Sequence, residues 1–193
     1  MQTPSFFVPV LVVVGPGLIG GSLAAALKKA GCVGKVIGVS RQTATTSAAL
    51  RLGLIDEVAD LATATQQADL IVLATPVRAT RSLLEQIQPH LLPHTLITDV
   101  GSTKADVVTE AIEVLGEQST QFLAGHPIAG AEKAGPEAAQ SDLYQNRIVI
   151  LTPHKNNTQR ARAFLTQMWE ACGARVMLMS AESHDRVLAS VSH

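Results

Sequence analysis

The chain has 193 residues, of which 47% are hydrophobic, 16% charged and 3% aromatic, a balance that excludes disordered and fibrous classes and allows a sizeable core. Fifteen Lys and Arg against sixteen Asp and Glu leave a formal charge of -1, so no strong field gathers phosphate backbones or acidic lipids; neither nucleic acid nor a membrane is expected as a partner. The two cysteines, Cys32 and Cys172, form no Cys-x-x-Cys or Cys/His cluster, which points away from a disulfide framework or a metal site and toward a reducing cytoplasm.

From Met1 to Leu27 no side chain is charged, a length that would span a bilayer. Pro9 and the cluster Gly15, Pro16, Gly17, Gly20 and Gly21 interrupt it, and no basic start marks a secretory signal. The segment therefore reads as a buried strand running into a buried helix. Beyond it, β-branched runs alternate with Ala/Leu-rich segments. The runs are Phe7 to Val14, Lys35 to Val39, Asp69 to Ala74, Thr95 to Val100, Gln121 to Ala124, Arg147 to Leu151 and Arg175 to Met179. Helices are expected at Leu18 to Ala30, Thr45 to Leu52, Val77 to Gln88, Thr103 to Leu115 and Asn157 to Cys172.

This alternation predicts an α/β fold, a Rossmann-type doubly wound and mostly parallel sheet with helices on both faces. Residues 1–180 read as a dinucleotide-binding domain. Residues 181–193 read as the start of a helix with Val187, Leu188 and Val191 on one side. No Gly, Asn or Pro stops that helix, so the chain is expected to be cut mid-helix, ahead of a further domain.

Directly after the first apolar run stands Gly15-Pro16-Gly17-Leu18-Ile19-Gly20, in the strand-to-helix position of a dinucleotide fingerprint. Gly15 suits a tight turn, Gly17 lets the backbone approach a pyrophosphate, and Gly20 lets helix and strand pack closely. With Leu18 and Ile19 at the helix N-terminus they form the first cofactor-binding set. The end of the second strand decides which dinucleotide. An acid there would hold the ribose diol of NAD, but Ser40, Arg41 and Thr43 stand in its place. A hydroxyl and a guanidinium bond a 2'-phosphate, so NADP is favoured over NAD. Thr75 and Pro76, after the third strand, and Val100, after the fourth, complete the cofactor-binding expectation, because ligands of open α/β sheets bind beyond the strands' carboxyl ends.

The turn Asp99-Val100-Gly101-Ser102-Thr103-Lys104 opens the next helix. Ser102 or Thr103 is expected as its N-cap, with Asp106 completing a capping-box variant, and Lys104 is expected in solvent. Ser102 is also placed to hydrogen-bond a substrate hydroxyl. The stretch Gly125-His126-Pro127-Ile128-Ala129-Gly130-Ala131-Glu132-Lys133-Ala134-Gly135 follows a strand and is too Gly-rich for a helix interior. A neutral His126 there accepts the proton of an alcohol undergoing oxidation. His90, His94, His154, His184 and His193 lack such a setting.

Together these motifs resemble the prephenate/arogenate dehydrogenases of tyrosine biosynthesis. The likeness is carried by Gly15 to Ser22, Ala74-Thr75-Pro76, Asp99 to Lys104, Gly125 to Glu132, His184-Asp185 and Ser192-His193. Asp-Val-Gly-Ser with His-Pro-x-Ala-Gly is its most specific part. The resemblance implies oxidative decarboxylation of arogenate or prephenate with NADP, with His126 as the catalytic histidine and Ser102 orienting the same hydroxyl. Ser102, His126 and His193 are then the substrate-binding set. It further implies a C-terminal helical domain that dimerises, so a homodimer is expected only when that domain is present. Two other readings stay open: an NADP-dependent 3-hydroxyacid or imine dehydrogenase, and a non-catalytic NADP-binding regulatory module.

Overall fold

The structure is a computed structural model that describes residues 6–191. Its first strand, β1 (Val8–Val14), is followed by α1 (Leu18–Lys29), β2 (Val33–Val39), α2 (Thr43–Arg51), the two-residue β3 (Glu57–Val58) and the short α3 (Leu61–Thr65). Next come β4 (Leu70–Leu73), α4 (Thr80–Ile87), β5 (Leu96–Asp99) and α5 (Ala105–Leu115). The remainder is β6 (Ala124–Pro127), β7 (Ile148–Thr152), α6 (Gln159–Ala171), β8 (Arg175–Leu178) and α7 (Ala181–Val191).

Five strands form one parallel sheet in the order β3-β2-β1-β4-β5, and three form a second in the order β6-β7-β8. In the second sheet β6 runs antiparallel to β7, and β7 parallel to β8. The chain winds from β1 out to β3, then crosses back to β4 on the other side of β1, which makes the Rossmann topology and leaves a crevice between the ends of β1 and β4.

β1 shows why so apolar a strand is tolerated in the centre. Leu11 and Val13 join one buried cluster, with Leu23 and Leu27 of α1 and Leu165 and Met168 of α6. Val12 and Val14 join the other, with Leu84 and Ile87 of α4 and Val107 and Ala111 of α5. Alternate side chains thus feed a core on each face, as a sheet covered by helices on both sides requires.

Three elements depart from the sequence reading. Glu57–Val58 and Leu61–Thr65 had no apolar run to mark them; α3 is held by Asp60, whose side chain accepts the Thr63 N–H at 2.9 Å. The strand expected at Gln121 to Ala124 lies further along, as β6, and takes in His126, because Ala124 to Pro127 pair in register with Val149 to Thr152. No helix among the described residues is long and apolar enough to cross a membrane, and from Val8 onward the uncharged stretch forms β1 and enters α1 as expected. His193, expected to bind substrate, lies outside the described residues.

Candidate active site

The register aligns the strand ends. Val14 pairs with Val39 and with Leu73, and Leu73 with Asp99. The turns that follow β1, β2, β4 and β5 therefore leave the sheet at one edge. Ile97 bridges Phe122 in the parallel sense, and the Leu123 N–H donates to the Ile97 carbonyl at 3.0 Å. β6 thus runs alongside β5 and delivers His126 to the same edge.

The turn after β1 fits a dinucleotide. Gly15 has φ +87°, a conformation that favours glycine, and a Cβ on it would lie 2.6 Å from the Ala74 carbonyl oxygen. At Gly20 a Cβ would meet the Gly15 oxygen and Val13 Cγ1, each at 2.7 Å, so the helix sits as close to the strand as a hydrogen atom allows. Gly17 faces open space, with nothing within 4 Å of an added Cβ. α1 begins after Gly17 with no side-chain cap and no acid in its first turn, which leaves the amides of Leu18, Ile19 and Gly20 for an anionic ligand. Thr75 Oγ1 is buried without a hydrogen-bond partner among the described residues, an orphaned polar atom of the kind a bound ribose or phosphate satisfies. Pro76 precedes a short helical turn at Val77–Ala79, and Val100 is tied to β4 through its N–H to the Leu73 carbonyl at 3.2 Å.

A residue that sequence reasoning missed fixes this turn. Tyr144 is fully buried, stacks edge-on against Trp169, and donates its hydroxyl to the Ile19 carbonyl at 2.6 Å. Burial pushes its pKa up, so it stays a neutral donor. The Gln140 N–H donates to Ser22 Oγ at 2.9 Å, and the segment after His126 is thereby drawn across the start of α1. At the end of β2, Ser40 Oγ accepts the Gln42 N–H at 3.1 Å, shaping the turn into α2. Arg41 and Thr43 are exposed. None of the ion pairs among the described residues involves Arg41.

Lys104 was expected in solvent and is fully buried. Its ammonium pairs closely with Asp99 Oδ2 and donates to the Gly125 carbonyl at 2.9 Å. Asp99 also accepts the Gly101 N–H at 2.9 Å and the Gly125 N–H at 3.1 Å. Burial pushes the Asp99 carboxyl up and the Lys104 ammonium down, and their mutual attraction opposes both shifts. The pair holds β6 against β5 on the approach to His126.

The expected capping box is also absent. Lys104 itself is the N-cap of α5 and no side chain of its own turn caps it. Instead Asp185 of α7 reaches in: Oδ1 accepts the Lys104 N–H at 2.8 Å and Oδ2 the Ala105 N–H at 2.9 Å. A carboxylate is the better partner there, because it meets two orphan amides and the positive end of the helix dipole together. Ser102 and Thr103 are left exposed, with the Ser102 hydroxyl free of a capping duty.

His126 is half-buried, and its Nδ1 lies 2.9 Å from Nε2 of His184. His184 is fully buried, and its own Nδ1 lies 2.7 Å from Asp185 Oδ1. Burial lowers the His126 pKa to about 4; His184 and Lys104 push the same way, against the pull of Asp185. His126 is thus a neutral imidazole at ordinary pH, competent to accept a proton. Partial burial works against the charge of Asp185, but the Ala105, His184 and Lys104 donors hold its pKa below the usual value. The sequence reading had set His184 among histidines without a functional setting; the fold places it against His126.

A dinucleotide turn and a neutral imidazole on one sheet edge are the parts of a dehydrogenase site, and comparison with known proteins gives the family. Residues 23–178 match the family profile described as "Prephenate dehydrogenase, nucleotide-binding domain". The chain belongs to this family. The prephenate dehydrogenase of Bacillus subtilis (strain 168) is 40% identical over 185 residues, 95% of this chain and 50% of that protein. The cyclohexadienyl dehydrogenase of Zymomonas mobilis is 37% identical over 185 residues, 95% of this chain and 62% of that protein. Among solved structures, prephenate dehydrogenase from A. aeolicus in complex with hydroxyphenyl propionate and NAD+ superposes with a TM-score of 0.89 at 35% identity, covering 95% of this chain and 64% of that one. The chain spans half the length of the Bacillus subtilis relative. Members of this prephenate dehydrogenase family are oxidoreductases, and the domain matched here is a nucleotide-binding one.

Proposed function

We propose that this chain is the cofactor-binding domain, residues 1–180 with α7 leading onward, of an enzyme that oxidatively decarboxylates arogenate or prephenate with NADP. The observation that carries the reading is the placement of His126, a neutral imidazole, on the same sheet edge as the turn Gly15 to Gly20. A bound nicotinamide dinucleotide supplies the hydride acceptor. His126 accepts the hydrogen bond and then the proton of the substrate's ring hydroxyl. Ser102 orients that hydroxyl. The carbon bearing it loses hydride, the ring carboxylate leaves as carbon dioxide, and the electron pair of the broken bond completes the aromatic ring. Aromatisation drives the reaction, so the protein's task is to hold donor and acceptor in line and exclude water.

NADP rather than NAD is favoured by charge at the end of β2. Ser40, Arg41 and Thr43 present hydroxyls and a guanidinium, and no carboxylate among Ser40 to Thr46 repels a 2'-phosphate. The same reading includes a reducing cytoplasm, in keeping with the free thiols Cys32 and Cys172, and dimerisation through a helical domain. The test is spectrophotometric: reduction of NADP+ and of NAD+ is followed with arogenate and with prephenate, using the domain joined to a homologous helical domain. Reduction of NADP+ with either substrate supports the proposal. Silence with all four combinations, while the dinucleotide still binds, would turn the reading toward a regulatory module.

A further inference from the structure

The hydrogen bonds from α7 to His126 determine which of its nitrogens is bare. Asp185, held below the usual carboxylate pKa, has only acceptors. Its Oδ1, 2.7 Å from His184 Nδ1, therefore accepts a hydrogen bond from an N–H on that nitrogen. With its N–H on Nδ1 spent on Asp185, the buried His184 ring presents Nε2 to His126 as the acceptor. Nδ1 of His126, 2.9 Å away, must then be the donor. By elimination the neutral His126 is bare at Nε2.

We infer that His184 and Asp185 are positioning residues: through them α7 selects the Nδ1–H tautomer of His126 and leaves Nε2 free for a substrate hydroxyl. The inference rests on the reading of His126 as the base. The same carboxylate also accepts the Lys104 and Ala105 N–H groups, so it secures the end of the turn that carries Ser102. One residue of α7 therefore fixes both proposed substrate contacts relative to each other. The charged groups around the imidazole pair are Asp185 on α7 and Lys104, paired with Asp99, on the β5–α5 turn. His184 is fully buried, which shields the chain of bonds from water.

The test reads the tautomer directly and needs no substrate, so it is independent of whether the dehydrogenase reading holds. Long-range 1H–15N spectra of the 15N-labelled chain at neutral pH are compared for wild type, His184→Gln and His184→Leu, with the His126 signals assigned by their loss in His126→Asn. Wild type is expected to show Nδ1 protonated and Nε2 bare. In His184→Leu the acceptor is gone, and the pattern is expected to shift to the Nε2–H form that free histidine side chains prefer in water. In His184→Gln an amide oxygen stands in for the lost nitrogen and restores the wild-type pattern; a role in packing alone would not separate Gln from Leu. A wild-type His126 protonated at Nε2, or a tautomer unchanged in His184→Leu, overturns the inference. Should the Leu variant fail to fold, the wild-type pattern decides by itself.

Discussion

Asp99 and Gly125 meet where the two sheets part: the carboxylate Oδ1 accepts the Gly125 N–H at 3.1 Å, a bond that neighbouring backbone would supply in an unbroken ladder. Lys104 answers the Gly125 carbonyl on the same residue. An ion pair thus substitutes for backbone pairing one residue before His126. The arrangement lets β6 leave the parallel sheet and pair antiparallel with β7.

It also makes a sharp stability prediction. Replacing Lys104 by Met leaves Asp99 buried and unpaired, and removal of one partner of a buried pair costs about 3–5 kcal/mol. Urea denaturation of Lys104→Met is expected to show a loss of that order. A loss below about 1 kcal/mol, the usual worth of an exposed pair, would mean that the pair does not hold β6 in place.

The fingerprint glycines should separate under substitution. Gly15→Ala places a methyl 2.6 Å from the Ala74 oxygen at φ +87°, so both thermal stability and dinucleotide binding should fall. Gly17→Ala meets nothing within 4 Å. It should leave the melting temperature within about 2 °C, corresponding to no more than about 1 kcal/mol, while weakening dinucleotide binding by about tenfold or more, equivalent to at least about 1.4 kcal/mol. Calorimetric titration alongside thermal melts checks the contrast.

Cofactor choice is tested at the end of β2. Arg41→Asp puts a carboxylate where a 2'-phosphate is expected, so NADP+ affinity should drop by at least about tenfold, a cost of about 1.4 kcal/mol, with NAD+ affinity little changed. Equal losses for the two dinucleotides would remove Arg41 from the argument.

The depressed pKa of His126 ties stability to pH with a definite sign. Its ordinary value is 6.5 and its folded value about 4. As pH falls, the unfolded chain takes up this proton first. The group's contribution is therefore complete above pH 6.5 and is lost progressively down to about 4, with a limiting slope of about one proton. Asp185, whose pKa is held below the ordinary 3.8, loses its contribution only as pH falls further, below that ordinary value. Denaturation midpoints measured from pH 7 to pH 4 should decline more steeply for wild type than for His126→Asn. Parallel curves would show that the imidazole is not desolvated as described.

Much of this was legible in the sequence because the signals are local. The glycine turn sits between an apolar run and a helix, and each later motif stands at the end of a β-branched run, so the sheet edge could be read from order alone. What escaped depends on distance along the chain. Lys104 follows a turn of small polar residues and looks solvent-exposed until β6 closes over it. Tyr144 and Ile19 lie 125 positions apart. His184 stands in the sequence only as part of the His184-Asp185 pair of the resemblance, with no role attached; its meaning comes from His126, 58 positions away. The Ser102–Asp106 stretch offered a plausible local cap, and a carboxylate 80 residues on from Ala105 displaced it.

The role of His126 is decided by a paired assay of wild type and His126→Asn, each joined to a homologous helical domain. Dinucleotide binding and dinucleotide reduction with arogenate and prephenate would be read on the same samples. The amide introduced by His126→Asn can still donate to His184 but cannot serve as a base of comparable strength. If His126 is the base, NADP+ affinity is unchanged and turnover falls by about 10²-fold or more, the usual share of a positioned acid–base group. Turnover within a fewfold of wild type would contradict it.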